Sequence, residues 1–134
     1  MKKIVEQLVE NFKSIGVTDS LWEMAGVSQK RTGLKVYLYI SPKQGKHGPR
    51  IKFVNGYETK MIQGNLVPMT ISDSPEIPIK ANLKISEQDL ANLKSWVILN
   101  KDILLRLWNN EFDDETDAIQ LLQKLDDRNK NENK

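Results

Sequence analysis

The sequence predicts an α+β domain: a small antiparallel sheet of three or four strands packed on one long helix, with added N- and C-terminal helices. Three observations lead there. Between Leu34 and Ile79 apolar residues recur with a period of two, punctuated by prolines and glycines, as strands and their turns require. From Ser86 to Glu111 the period lengthens to 3.6 over the longest strongly periodic segment of the chain. Shorter segments of the same helical period occupy Lys3–Ile15 and Glu115–Leu125. A chain of 134 residues suffices for one core. We therefore expect a single compact domain over 1–125 and a disordered polar tail over 126–134, where Asp126–Lys134 contains no apolar residue.

Taken in order, the first helix carries Ile4, Val5, Leu8, Val9, Phe12 and Ile15 on one face and stops at Gly16. A short second helix capped by Asp19 or Ser20 runs through Leu21, Trp22 and Met24 to Gly26, and Val27–Thr32 reads as a polar loop. Leu34, Val36, Leu38 and Ile40 form the buried face of a strand whose other face carries Lys35, Tyr37 and Tyr39. Ser41–Pro49 holds two prolines and two glycines and is a loop. Arg50–Val54 is a strand, Asn55-Gly56 signals a two-residue hairpin, and Tyr57–Ile62 is the returning strand. Gln63-Gly64-Asn65 is another turn, followed by a strand over Leu66–Ile71, which Pro68 restricts to an edge or a bulge. Ile77–Leu83 is extended.

Ser86 and Asp89 have the spacing of a near capping box, which fixes where the long helix starts. Leu90, Leu93, Val97, Leu104 and Trp108 form its stripe, widened by Trp96 and Leu107, and we expect Leu93, Val97, Leu104 and Trp108 to contact Val36, Leu38, Ile51 and Phe53. Asn100 interrupts the stripe and predicts a kink or break. Asp114 or Thr116 caps the last helix.

Charge is distributed unevenly around a net +2. Lys30, Arg31, Lys35, Lys43, Lys46, Arg50 and Lys52 fall between Met24 and Tyr57 with no acid among them. After Trp108 the balance inverts, with Glu111, Asp113, Asp114, Glu115, Asp117, Asp126 and Asp127 against Lys124 up to position 127. No apolar run approaches the roughly 18 residues of a membrane span. Glu6 and Glu10 interrupt what would be a signal-peptide core, so a cytoplasmic protein with no membrane partner is expected. The absence of cysteine excludes disulfides, thiolate metal sites and cysteine nucleophiles.

His47-Gly48-Pro49-Arg50-Ile51-Lys52, then Ser95-Trp96, then Ile103-Leu104-Leu105-Arg106-Leu107-Trp108 resemble an uncharacterised family of small bacterial proteins over about residues 36–112. Its members carry Pro-Pro-His-Phe-His in a hairpin, then Glu-Trp, then Glu-Leu-Leu-x-x-Trp in a helix. The resemblance implies a small regulatory or defence-related protein, often found in toxin–antitoxin or mobile-element settings, and no established reaction. Arg50 and Lys52 stand where that family has its two hairpin histidines. Imidazole binds metals and moves protons near neutral pH, whereas guanidinium and ammonium do neither readily.

The remaining constellations argue against enzymatic chemistry. His47 is the only histidine, Ser41 is the nearest hydroxyl in its loop, and no acid lies in the basic segment to orient the ring. The acids after Trp108 lack calcium-loop spacing, and Gly45 and Gly48 match no phosphate-cradling motif. No cofactor or metal is expected. The basic segment has three readings: a solvated face, a complement to the chain's own acidic end, or a binding surface. In the last, Lys43, Lys46, His47, Arg50 and Lys52, with Lys35, Tyr37 and Tyr39 beside them, meet an acidic protein surface. The alternative partner is a nucleic acid, with Tyr37 and Tyr39 as stacking residues of a regulator or toxin component. The weakest reading is a nuclease-type toxin using His47.

Overall fold

The computed structural model describes residues 24–43, 46–58 and 65–125. Along the chain run β1 (Ala25–Val27), α1 (Gln29–Thr32), β2 (Leu38–Ile40), β3 (Arg50–Val54) and β4 (Leu66–Thr70), then α2 (Glu87–Leu99), α3 (Lys101–Trp108) and α4 (Glu115–Leu121). The four strands form an antiparallel meander in the order β1-β2-β3-β4. The α+β class is as the sequence predicts. The N-terminal helix of Lys3–Ile15, the short second helix from its cap at Asp19 or Ser20 through Trp22, residues 59–62 of the returning strand with the turn at Gln63-Gly64, and the tail of 126–134 lie outside the described residues.

One sheet face supplies the core. Leu34, Val36, Leu38 and Ile40 are all buried, as their alternation requires, and join Ile51, Phe53, Val67 and Met69. Leu93, Trp96, Val97, Leu104 and Leu107 enter the same cluster from the helices. Each such aliphatic or aromatic side chain contributes roughly 1.5–3 kcal/mol by leaving water. Trp108 is buried too but lies outside that cluster, so its expected contacts with the strand residues give way to a different neighbour, His47, with ring centroids 5.7 Å apart.

The long helix starts where Ser86 and Asp89 place it: Ser86 Oγ accepts from the Asp89 amide at 3.0 Å. It breaks at Asn100, giving α2 and α3 in place of one unbroken rod. Asn100 is buried, and its side chain bonds the Trp96 carbonyl and the backbone of Gln123. Asp114 caps α4 by accepting from the amides of Thr116 and Asp117. That helix ends at Leu121, earlier than the apolar spacing through Leu125 suggests. Leu122–Leu125 instead runs back to α1, where the Leu125 amide donates to the Thr32 carbonyl at 2.8 Å and the Leu125 side chain is buried.

Two stretches depart from expectation. Val27–Thr32 is not a polar loop: Val27 ends β1, paired with Leu38, and α1 follows. A three-residue strand shows too little alternation to be read, yet the helix carries ordinary caps. Ser28 accepts from the Arg31 amide, and Gly33 closes the turn at φ 78°. Gly26, expected to end a helix, sits inside β1, where the Tyr37 side chain lies so close that any Cβ would collide with it.

Asn55-Gly56 is not a two-residue hairpin either. Val54 pairs with Leu66, so β3 returns through β4, and neither Tyr57 nor Glu58 lies in a strand. Asn55 lacks the positive φ that a type I′ turn needs. Its side chain instead donates to the Asn82 carbonyl and accepts from the Lys84 amide, fastening the approach to α2. The fourth strand is β1, upstream of the expected sheet. Pro68 occupies an edge strand, as predicted. The Thr70 amide bonds Glu76 and not β3, so the even-numbered amides of β4 face outward and proline there costs no ladder bond.

Candidate functional site

Strand pairing builds the candidate surface on the face turned away from α2 and α3. Gly26 pairs with Tyr39, Tyr39 with Lys52, and Lys52 with Pro68, which sets a row of four residues across the sheet. Arg50 lies two residues from Lys52 and therefore on the same face, opposite Thr70. Tyr37 and Tyr39 stand edge to face with ring centroids 5.3 Å apart. The structure thus gathers Tyr37, Tyr39, Arg50 and Lys52 on one sheet face, as their alternation predicts.

These are not freely solvated groups. Arg50, Lys52, Tyr37 and Tyr39 are half-buried, and Val54 on the same face is fully buried. Burial, and then the neighbouring Arg50 charge, hold the Lys52 ammonium below its ordinary pKa. Arg50 Nε is buried with no hydrogen-bond acceptor among the described residues. Lys35, Lys43 and Lys46 are exposed around this patch in the sequence. Among the described residues none of these five cations makes an ion pair; the pairs formed there are Lys101–Asp73 and Arg106–Glu111.

The loop that joins β2 to β3 is fastened at both ends. Lys43 donates its amide to the Trp108 carbonyl at 3.0 Å, and the Pro49 carbonyl accepts from the Ile71 amide at 3.0 Å. His47 tilts its ring at 37° to Trp108, and its Nδ1 lies 3.2 Å from the Gly48 carbonyl. Among the described residues its close partners are an indole and a backbone carbonyl. Beside the loop lies an open cleft of about 380 Å³ lined by Pro42, Lys43, Trp108, Asn109 and Asn110. Among the described residues it offers one ammonium and two amides but no acid. The sequence signal for Asn109 and Asn110 is an Asn pair directly after an apolar helical stripe, which marks a left-handed helix end, and Asn110 has φ 63°.

The acidic end of the chain does not neutralise the basic segment among the described residues. Asp114 serves α4, and Glu111 pairs with Arg106, whose guanidinium stacks on Phe112 at 4.7 Å. No group of three His, Asp or Glu side chains suited to a metal ion occurs among the described residues, and no helix there is long and apolar enough to cross a membrane. No family model, curated protein or solved structure matches the chain.

Proposed function

We propose that this is a non-catalytic, cytoplasmic interaction protein that binds an anionic protein surface through Lys43–Lys52. The observation that carries the reading is the Arg50–Lys52 pair: two like charges on one strand face, half-buried, with an unpartnered buried donor on Arg50 and the Lys52 charge disfavoured. A carboxylate arriving between them supplies the missing acceptor and offsets the repulsion. Arg50 takes the larger part, because its planar fork bonds a carboxylate through two donors. Lys43 and Lys46, both exposed, then lie on the rim.

A toxin–antitoxin, mobile-element or defence setting is supported by the resemblance of the hairpin and helix motifs alone. Nucleic acid is the less favoured partner. Single-strand binders offer open aromatic faces, whereas Tyr37 packs over Gly26 and against Tyr39.

Titration of the full chain with an acidic peptide and with single- and double-stranded oligonucleotides tests the reading. Changing Lys43, Lys46, Arg50 and Lys52 together to Ala should abolish peptide binding, and Arg50→Ala alone should cost about 2 kcal/mol. Tighter binding to the oligonucleotides, with similar losses at every cation and a log–log salt slope of about one per phosphate contact, would transfer the function to nucleic acid. Unchanged peptide binding by the folded quadruple variant would refute it.

A further inference from the structure

A second cluster of cations lies in a different part of the fold. The groove between α1 and the segment after α4, lined by Ser28, Lys30, Arg31, Leu122 and Lys124, has a volume of about 350 Å³. We propose that it is a separate anion site that binds the phosphoryl group of a small phosphate or phosphate ester.

Tertiary structure, and not sequence proximity, brings these charges together. Lys124 comes from the chain's far end and is held between two fixed neighbours. The Gln123 backbone is bonded in both directions by Asn100, and Leu125 is buried with its amide on Thr32. Lys30 and Arg31 sit in α1, which Ser28 caps at one end and Gly33 at the other. The Lys124 side chain passes so close over Gly33 that its Cγ would lie 3.1 Å from a Cβ at that position. The three cations are therefore displayed by fixed backbone.

Their chemistry selects the ligand. Among the described residues no carboxylate lines the groove, and none of Lys30, Arg31 and Lys124 makes an ion pair. Three positive charges match a dianionic phosphoryl group better than a single carboxylate, and the Arg31 fork spans two phosphate oxygens. Ser28 Oγ accepts from the Arg31 amide at 3.2 Å, which leaves its hydroxyl hydrogen to donate to a third oxygen. Leu122, itself buried, gives the groove an apolar wall for the organic part of an ester. The volume falls at the lower end of small-molecule pockets, about 300–1,000 Å³.

The test is calorimetric titration of the full chain with inorganic phosphate, with a phosphomonoester such as glycerol phosphate, and with acetate at matched ionic strength. Saturable one-to-one binding of either phosphate probe, at least tenfold tighter than acetate, is expected. Arg31→Gln with Lys124→Gln should weaken it at least tenfold, with circular dichroism reporting an unchanged fold. Arg31→Lys keeps the charge but removes the fork, and should weaken it several-fold even if the double variant fails to fold. The quadruple variant of Lys43, Lys46, Arg50 and Lys52 should bind phosphate normally, so this site and the protein-binding surface succeed or fail independently. Acetate binding as tight as phosphate, full affinity in Arg31→Lys, or loss of phosphate binding in the quadruple variant would each overturn the assignment.

Discussion

Asn100 grips the backbone of Gln123 with both ends of its amide: Nδ2 donates to the Gln123 carbonyl at 3.0 Å, and Oδ1 accepts from the Gln123 amide at 2.6 Å. The same Nδ2 reaches the Trp96 carbonyl at 3.0 Å. A side chain here does what a neighbouring strand does for an extended segment. The break between α2 and α3 is thus an anchor, since it holds Leu122–Leu125 on course towards α1.

Replacing Asn100 with Ala removes three hydrogen bonds and leaves buried or half-buried backbone groups without partners, at about 1–3 kcal/mol for the best-buried of them. Urea unfolding should show a loss of about 2–4 kcal/mol in total. Asn100→Asp keeps the acceptor for Gln123 but sets a carboxylate against two carbonyls, so its folded pKa should rise above the unfolded value. A proton is then bound more tightly in the native state, and the stability of that variant should recover as pH falls through the raised pKa. A variant equally unstable from neutral to acid pH would contradict this.

Gly33 is fixed by two independent constraints. Its φ of 78° lies in the left-handed region, and a Cβ would collide with the Leu125 carbonyl oxygen, which is backbone and cannot rotate away. Gly33→Ala should cost about 2 kcal/mol or more, beyond the 1–2 kcal/mol of left-handed strain alone. Hydrogen exchange at the Leu125 amide, which donates to Thr32, should accelerate in the same variant. Wild-type protection there would mean that the segment docks without that approach.

Lys52 is charged at a cost, because burial and then the Arg50 charge hold its pKa below the ordinary lysine value of 10.5. The unfolded chain therefore binds more protons than the folded one between the two pKa values, and this residue's contribution to stability improves as pH rises through that window. Lys52→Met keeps the stem and removes the charge. It should be more stable than the parent at pH 7, with the advantage shrinking as pH approaches 10.5; a constant difference would locate the effect in packing.

Trp108 joins the loop after β2 to the end of α3, through the His47 ring and the Lys43 amide on its own carbonyl. At 4 % exposure its truncation to Ala should cost about 3–5 kcal/mol. His47→Gln, which removes only the ring–ring contact, should cost less than about 1.5 kcal/mol. Denaturation midpoints measure both, and a near-zero shift for Trp108→Ala would remove it from the folded interior.

The strand face carrying Leu34, Val36, Leu38 and Ile40, the strand of Arg50–Val54, the Ser86 cap, the Asn100 break and the Asp114 cap were all legible in the sequence. Each is decided by residues close together in the chain, through periodicity or a local hydrogen bond. The same alternation put Tyr37, Tyr39, Arg50 and Lys52 on one face. What lay beyond reach was every choice among competing partners. Asn55-Gly56 has the chemistry of a tight turn, but the Asn55 side chain finds the backbone of Asn82 and Lys84, 27 and 29 residues away. Ala25–Val27 is too short to show a period and becomes a strand because β2 offers an edge. The continued apolar spacing at Leu122 and Leu125 reads as helix, yet Asn100 and Thr32 bond the backbone of Gln123 and Leu125 and draw the chain out of it. Local sequence set which elements can form; long-range backbone bonding decided which of them did, and it placed Lys124 beside Lys30 and Arg31.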